Sequence, residues 1–290
     1  MAKTYNEQSK EKMELLPPKN DIVFQTLFTR GRESITKAML EDILKIKINK
    51  LDLDKSKDLL NENKEDKNGR LDLRAVINDN IECDIEIQLE LHKKTKERFL
   101  YYWSKMYVAN IQTGNKYEKL RKTISIIILG EEEKELKDIK EAHTKWQIRE
   151  EKNLEKILTE DLELHIIELP KAIKEYKNNP KDEVLQWMMF LENPEDTEVT
   201  KIMEENKDIK EAKEELNKIS MDEALRRQAL NIEMARMDRE QYIADAKEEG
   251  LTQGKKSKSI EIAKALLKEK IDILIISKTT GLTIEEIEKL

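Results

Sequence analysis

The sequence predicts an α/β fold, in which helices flank a central mixed sheet and a helical extension follows at the C-terminus. Two observations support this prediction. Apolar runs and alternations of strand length are concentrated between residues 69 and 170, which indicates a sheet at the core. The whole chain is 40% charged and has only seven glycines and five prolines in 290 residues, a composition typical of solvated helices.

The first helix is predicted to follow Pro17 and Pro18, with Asn20 or Asp21 as its N-cap, because short polar side chains accept hydrogen bonds from the first backbone amides of a helix. Periodicity and charge predict three further segments before residue 69. They are a helix over residues 32–44, a half-buried strand over residues 46–53 and a solvated excursion over residues 54–68.

A β-hairpin is the next predicted element. Residues 71–77 and 81–89 both alternate apolar and polar side chains, and they flank Asn78-Asp79-Asn80. A three-residue turn pairs Ile77 with Ile81 and keeps both apolar sets on the same face of the hairpin. A slip of one residue would move a whole apolar set to the wrong face. The pattern therefore selects the three-residue turn.

This register decides which polar side chains meet across the hairpin. It sets Asp72 directly opposite Glu86 with no counter-charge between them, whereas Arg74 faces Asp84 and is predicted to form a satisfied cross-strand ion pair with it. Directly opposed carboxylates have Cβ atoms about 5 Å apart and repel each other. A divalent cation would neutralise them, and Mg²⁺ suits hard oxygen ligands that leave positions for water and phosphate. The alternative is an exposed, Glu-rich strand face whose repulsion is screened by salt.

The rest of the sheet and the C-terminal helices follow the hairpin. The predicted elements are a helix over residues 101–111, strands over residues 123–129, 143–149 and 162–169, and a helix over residues 181–192. Composition predicts helix from residue 198 onward, with a capping box beginning at Ser220 and an end at Gly250. The tail is predicted to form helices over residues 259–268, 272–278 and 283–290, with a turn at Gly281.

Export and membrane insertion are not indicated, so we expect a cytoplasmic protein without a membrane partner. The N-terminus lacks an apolar signal segment, and apolar runs such as residues 126–129 are far too short to span a bilayer. The one cysteine, Cys83, cannot form an intramolecular disulfide, which fits a reducing compartment. No phosphate-binding glycine loop is present, so no nucleotide cofactor is expected.

Neither the histidines nor the tryptophans suggest a site. The histidines lie on separate predicted elements without metal-ligand spacing and are expected to be structural or exposed: His92, His143 and His165. The tryptophans are expected to be packing residues: Trp103, Trp146 and Trp187.

A basic block interrupts an otherwise acidic chain. Residues 91–122 carry nine basic and two acidic side chains, a local charge of +7, although the net charge of the chain is −7. Such a block is typical of a phosphate-binding surface, and equally of a solvated Lys-rich face. Within it, Arg98, Tyr101 and Lys105 share one helix face and are predicted to contact phosphate, which the resemblance described below identifies as the DNA backbone. In the alternative, Tyr101 and Tyr102 pack in the core and Arg98 caps a carboxylate.

Several segments, in order, resemble the Rpn family of recombination-promoting nucleases and transposases, which belongs to the PD-(D/E)XK nuclease superfamily. The matching segments are residues 19–24 (KNDIVF), 71–73 (LDL), 85–88 (IEIQ), 101–107 (YYWSKMY), 114–117 (GNKY) and 124–129 (ISIIIL). The resemblance covers residues 17–195, and the tail from Gly250 looks like the family's usual C-terminus. It implies a restriction-endonuclease-like core.

The resemblance also implies roles for individual residues. Asp72 and Glu86 would be the first and second metal carboxylates, and Asp21 on the first helix would assist them. Gln88 stands where the superfamily has its lysine; a neutral amide can orient the attacking water by hydrogen bonds but cannot deprotonate it. The implied catalytic residues are thus Asp72, Glu86 and Gln88. The implied cofactor is Mg²⁺, replaceable by Mn²⁺, and the implied partner is DNA.

The expected function is a Mg²⁺-dependent DNA endonuclease of low sequence specificity, connected with recombination or transposition. One alternative is a catalytically silent DNA-binding or regulatory protein that retains the nuclease fold. Another is a helical self-association protein. The expected organisation is a flexible N-terminus (residues 1–16), a nuclease-like domain (17–195), a charged helical segment (196–250) and a small helical tail (251–290).

The tail has the outline of a helix-turn-helix, but its second helix would be repelled by DNA phosphates. Residues 283–290 contain three glutamates and one lysine. We therefore expect the C-terminal helices to mediate self-association.

Overall fold

The computed structural model describes residues 14–29, 32–53, 73–91, 94–109, 111 and 116–290. Asp72, His92 and the predicted excursion over residues 54–68 lie outside the described residues. Contacts divide the chain into two compact units, Met1–Ala229 and Leu230–Leu290. Among the described residues, no helix is both long and apolar enough to cross a bilayer.

The first unit contains a six-stranded mixed sheet, as predicted. Its strands are β1 (Leu51–Leu53), β2 (Leu73–Ile77), β3 (Ile81–Gln88), β4 (Lys122–Leu129), β5 (His143–Trp146) and β6 (Leu162–Glu168). Their order is β1-β2-β3-β4-β6-β5. Strands β3, β4 and β6 run parallel, and the remaining neighbours are antiparallel. The parallel strands are covered on both faces, which is usual for such sheets.

The predicted register of the hairpin is confirmed over the described residues. Ile77 pairs with Ile81 and Arg74 pairs with Asp84, with Asn78-Asp79-Asn80 as the three-residue turn. Asn78 and Asp79 have φ of 51° and 65°, a left-handed conformation that Asn and Asp tolerate better than most residues. The conformation of the turn and the alternation of apolar side chains therefore both favour the same strand pairing.

Asn78 also explains why the strand predicted over residues 46–53 is shorter in the structure, where β1 begins at Leu51. Its side-chain oxygen accepts hydrogen bonds from the backbone amides of Asn49 and Lys50 at 2.9 and 3.1 Å, and its side-chain nitrogen donates to the carbonyl of Lys47 at 3.1 Å. These backbone groups thus bind a side chain instead of a neighbouring strand.

Among the described residues of the first unit, seven α-helices precede the long helix α8. They are α1 (Asp21–Thr29), α2 (Glu33–Leu44), α3 (Thr95–Ala109), α4 (Leu169–Tyr176), α5 (Glu183–Glu192), α6 (Thr197–Glu205) and α7 (Lys207–Ser220). Helices α1, α2, α5 and α7 share one large apolar core with one face of the sheet. Helix α4 was not predicted, whereas α2 and α5 lie within two residues of their predicted limits.

Helix α3 lies on the other face of the sheet. Phe99 and Met106, seven residues apart on one side of the helix, are buried, and Phe99 packs with Ile127 of β4. Trp103 Nε1 donates to the carbonyl of Thr123 at 2.8 Å. This docking brings the first turns of α3 over the end of β3.

Helix α8 (Glu223–Lys268) overturns two predictions about the C-terminal region. Its N-cap is Asp222, which accepts from the amides of Ala224 and Leu225, so the capping box predicted from Ser220 is wrong. The predicted end at Gly250 is also wrong, because a glycine among good helix formers costs only about 1 kcal/mol and ends a helix only where the chain turns left-handed.

Helix α8 ends at Lys268, just before Lys270 turns left-handed with a φ of 57°, and a second left-handed turn follows at Gly281, whose φ is 73°. It separates α9 (Ile273–Thr280) from α10 (Ile284–Glu288), and Thr283 and Glu286 form a capping box at the start of α10. The predicted tail helices are therefore confirmed, although the first of them is the end of α8. The domain limits given above remain a prediction.

Candidate active site

The carboxylates of β3 that share one face of the sheet are buried. Glu82 and Asp84 are each 2% exposed, and Glu86 is 7% exposed. A charge removed from water is costly unless it is paired or hydrogen-bonded. The alternative of a solvated Glu-rich face is therefore wrong for these three residues, and each of them has its own partner.

Glu82 has two arginine partners. Arg74 faces Asp84 in the register, but its guanidinium donates to Glu82, the diagonal neighbour, at 3.0 Å, and Arg121 donates to the other oxygen of Glu82 at 3.1 Å. The predicted ion pair between Arg74 and Asp84 is therefore wrong. Asp84 accepts a hydrogen bond from the hydroxyl of Ser125 instead, and burial raises the pKa of Asp84 to about 7.

Glu86 stands near the end of β3, where a cation from α3 neutralises it. The guanidinium of Arg98 donates to Oε1 of Glu86 and to Oε1 of Gln88. Burial raises the pKa of Glu86, Arg98 opposes that rise, and the charge of Asp21 adds to it. The expectation that Glu86 lacks a counter-charge is wrong, because cross-strand register gives no information about side chains that a helix brings onto the sheet.

Gln88 ends β3 with both ends of its amide engaged. Its Oε1 accepts from Arg98, and its Nε2 donates to the carbonyl of Glu90 at 2.6 Å. The sequence suggested an amide that orients water. In the structure, the amide connects the end of β3 to the guanidinium of Arg98.

Asp21 is available for a role beside Glu86, because Asn20 is the N-cap of α1. The side-chain oxygen of Asn20 accepts from the amide of Ile22 at 3.2 Å. Asp21 lies in the first turn of α1, and its charge is close enough to Glu86 to raise the pKa of that carboxyl. Partial desolvation raises the pKa of Asp21 as well, although the residue is exposed on the surface of α1. Side chains from α1 and α3 thus both act on Glu86, near the carboxyl end of β3.

The chemistry of these donors suits a hard divalent cation. Asp21 and Glu86 offer carboxylate oxygens, the ligands that Mg²⁺ prefers. Neighbouring carboxylates disfavour each other's ionisation, and a cation would relieve that repulsion. Within the described part of the chain, no group of three His, Cys, Asp or Glu side chains is arranged to hold a metal ion. The predicted further carboxylate is that of Asp72.

The predicted DNA-contact residues of α3 have different surroundings. Tyr101 is 50% exposed, and the ammonium of Lys105 lies 4.8 Å from the centroid of its ring. Arg98 lies 5.6 Å from the centroid of the Tyr102 ring and pairs with Glu86. The alternative that Arg98 caps a carboxylate is therefore confirmed, whereas exposure contradicts core packing for Tyr101.

A second polar cluster, which the sequence did not suggest, joins β5 and β6. His143 Nε2 lies 2.7 Å from His165 Nδ1, and His165 Nε2 donates to Glu163 at 2.8 Å. Although burial alone would raise it, the pKa of Glu163 lies well below its usual value, because His165, Lys122 and Lys145 donate to this carboxylate. Strand pairing sets Lys145 opposite His165, a contact that separate sequence positions do not reveal.

His143 makes the stability of the fold depend on pH. Burial, with the nearby charge of His165, lowers the pKa of His143 to about 4. Asp182 opposes that shift, and Lys45 and Lys145 add to it. The unfolded chain therefore binds more protons than the folded one between pH 4 and about 6.5, the ordinary pKa of histidine. Stability rises with pH across this window and is lost as pH falls through it.

We expect wild type to lose about 2 kcal/mol of unfolding free energy between pH 7 and pH 4.5 through His143, since one unit of pKa shift is worth 1.36 kcal/mol and the ring is partly exposed. The His143→Gln variant should show a flatter profile over the same range. Urea unfolding at pH 4.5, 5.5 and 7 measures both. Parallel profiles for the two proteins would contradict this role of His143.

The fold and the site together define a class of protein. Carboxylates on the second strand of an antiparallel hairpin, in a mixed sheet flanked by helices, form the core of a PD-(D/E)XK nuclease fold. The family model of the PD-(D/E)XK nuclease family transposases matches residues 18–246, and the chain belongs to this family. Membership supports a nuclease or transposase-like role. Comparison with curated proteins gave no match, and neither did comparison with solved structures.

Proposed function

We propose that this protein is a Mg²⁺-dependent DNA endonuclease of low sequence specificity that promotes recombination or transposition. The observation that carries the proposal is the hairpin register, which runs without a break from Ile77 opposite Ile81 to Leu73 opposite Ile85. The rule is that each residue back along β2 pairs with one residue further along β3. Continued by one residue, that rule pairs position 72 with Glu86. The pairing of Asp72 is itself part of the proposal, because Asp72 lies outside the described residues.

Asp72 and Glu86, with Asp21, would hold the cation. When bound, Mg²⁺, or Mn²⁺ in its place, would lower the pKa of a water molecule and place a positive charge beside the phosphate. Glu86 is buried at the end of β3, so its carboxylate is fixed in direction before any ligand arrives. Gln88 occupies the lysine position of the superfamily and would lie beside the metal carboxylates.

DNA would approach over α3 and the basic block of residues 91–122. Part of that block is already neutralised, since at least five of its basic side chains pair with carboxylates: Lys94 with Glu97, Lys96 with Glu135, Arg98 with Glu86, Arg121 with Glu82 and Lys122 with Glu163. On α3, the proposed contact is made by Lys105, whose ammonium lies 4.8 Å from the centroid of the exposed Tyr101 ring, and by that ring itself. Phosphate contacts of this kind read no sequence, which supports low specificity.

The test is cleavage of supercoiled plasmid by the purified full-length chain in Mg²⁺, in Mn²⁺ and in EDTA. We expect nicked and linear products in both metals and none in EDTA. The Asp72→Asn variant should lose cleavage while it keeps the melting temperature of wild type. Cleavage that survives EDTA or the loss of the Asp72 carboxylate would overturn the proposal.

Lys105 gives a direct test of the DNA surface. We expect Lys105→Gln to weaken binding to duplex DNA and to reduce the slope of log affinity against log salt by about 1, because each phosphate contact releases one counterion. The matched control is Lys210→Gln, the same change at an exposed position on α7. Fluorescence anisotropy at several salt concentrations measures both slopes, and equal slopes for the two variants would contradict a contact at Lys105.

The proposal includes self-association through the C-terminal helices. Leu230, Met234 and Met237 are exposed on α8 at positions i, i+4 and i+7, so they share one face of the helix. Apolar residues at this spacing suit pairing with the same helix of a second copy. Light scattering of the full chain tests it, and a monomer at high concentration would contradict it.

A further inference from the structure

The amide of Gln88 is oriented unambiguously by its two contacts. Oε1 accepts from the guanidinium of Arg98, which can only donate, and Nε2 donates to the carbonyl of Glu90, which can only accept. Exchanging the two ends of the amide would set donor against donor and acceptor against acceptor. The side chain at the superfamily's lysine position therefore binds a cation instead of being one.

That cation is Arg98 of α3. Its guanidinium contacts Glu86, the carboxylate that a lysine at position 88 would also lie beside. The same nitrogen of Arg98, Nη2, donates to Glu86 and to Gln88. The ring of Tyr102 lies 5.6 Å from the guanidinium carbon, at a distance suited to a cation–π contact. Nε of Arg98 is buried and has no hydrogen-bond partner among the described residues, so the guanidinium retains capacity to donate.

We propose that Arg98 is a positioning residue that supplies, from α3, the positive charge that the chain lacks at position 88, and that Gln88 holds its guanidinium in place. The inference rests on the proposed nuclease function. Arginine remains protonated at any relevant pH, so Arg98 takes no proton from water. Its role is electrostatic: it fixes the direction of the Glu86 carboxylate through its hydrogen bond, and it adds positive charge beside the scissile phosphate.

Variants that move the positive charge from Arg98 on α3 to position 88 on β3 test this proposal in the full-length protein. We expect Arg98→Gln to reduce plasmid cleavage about 100-fold, the upper range for a residue that orients a metal ligand. Adding Gln88→Lys to that variant should recover at least about tenfold, because it returns a cation next to Glu86. An arginine that only packs α3 onto the sheet could not be replaced by a lysine on another element.

Binding of Mn²⁺ alone, measured by calorimetry, gives a readout independent of cleavage. A nearby cation opposes the binding of another, so Arg98→Gln should bind Mn²⁺ about tenfold more tightly than wild type, and the double variant should return toward wild-type affinity. The matched control is Arg74→Gln, which removes another buried partner of a glutamate on the same sheet face. It should change the melting temperature without changing Mn²⁺ affinity.

The outcomes separate this inference from the proposed function. Cleavage that depends on Asp72 but is unchanged in Arg98→Gln, or a double variant no better than Arg98→Gln, overturns the role of Arg98 and leaves the nuclease proposal standing. If wild type binds Mn²⁺ without cleaving DNA, the nuclease proposal fails and the affinity change decides the role of Arg98. If wild type binds no Mn²⁺, both are overturned.

Discussion

Replacing Glu86 by glutamine is expected to lower the rate of Mg²⁺-dependent plasmid cleavage by about 10³-fold, the scale of losing one electrostatic stabilising group from an active site. The substitution preserves the size of a side chain that is 7% exposed and removes the charge that would bind the cation. It also weakens the hydrogen bond that Arg98 donates to this side chain, because the acceptor loses its charge. Initial rates of loss of supercoiled plasmid measure the effect, and thermal unfolding measured in parallel reports on the fold.

Glu82→Gln is the matched control for this prediction. Glu82 lies on the same face of β3, is also buried, and pairs with Arg74 and Arg121. Its substitution should cost stability, because a buried guanidinium loses its counter-charge, but it should not produce a comparable loss of rate. If the two variants lose cleavage in proportion to their loss of stability, the effect of Glu86 is one of folding, and the site is placed incorrectly.

The hairpin could be predicted from the sequence because its two determinants are local. Side-chain parity on residues 73–77 and 81–88 fixes which faces are apolar, and the Asn78-Asp79-Asn80 turn fixes the pairing. The parallel neighbours β4 and β6 were predicted for a similar reason, since buried parallel strands read as short isoleucine- and leucine-rich runs. In each case the information lies within a few residues of the element itself.

The partners of the buried carboxylates could not be predicted in this way, because they come from distant elements. Arg98 reaches Glu86 only because α3 docks over the end of β3, and Trp103 and Phe99 determine that docking. The contact of His143 with His165 likewise depends on the antiparallel pairing of β5 with β6. Sequence parity identified the polar face of β3 correctly, but it did not show that helix α3 covers part of it.

Trp187→Ala is expected to lower the unfolding free energy by about 3 to 5 kcal/mol, the usual cost of removing a large aromatic side chain from a core. The sequence predicted a packing role for this residue. Its side chain is fully buried on α5, and the centroids of the Phe28 and Phe190 rings lie 6.2 Å from the centroid of its own ring. Its Nε1 donates to Asp42 at 2.8 Å, so the substitution leaves a cavity and also deprives Asp42 of that donor.

The matched control is Trp146→Ala on the edge strand β5. Trp146 was also expected to pack, but it is 39% exposed, and surface substitutions usually change stability by less than about 0.5 kcal/mol. Urea unfolding of the two variants therefore separates burial from residue type. Because the total unfolding free energy of a domain is only about 5 to 15 kcal/mol, Trp187→Ala should also lower the yield of folded protein. Equal losses at the two positions would contradict the assignment of the core to the α2 and α5 side of the sheet.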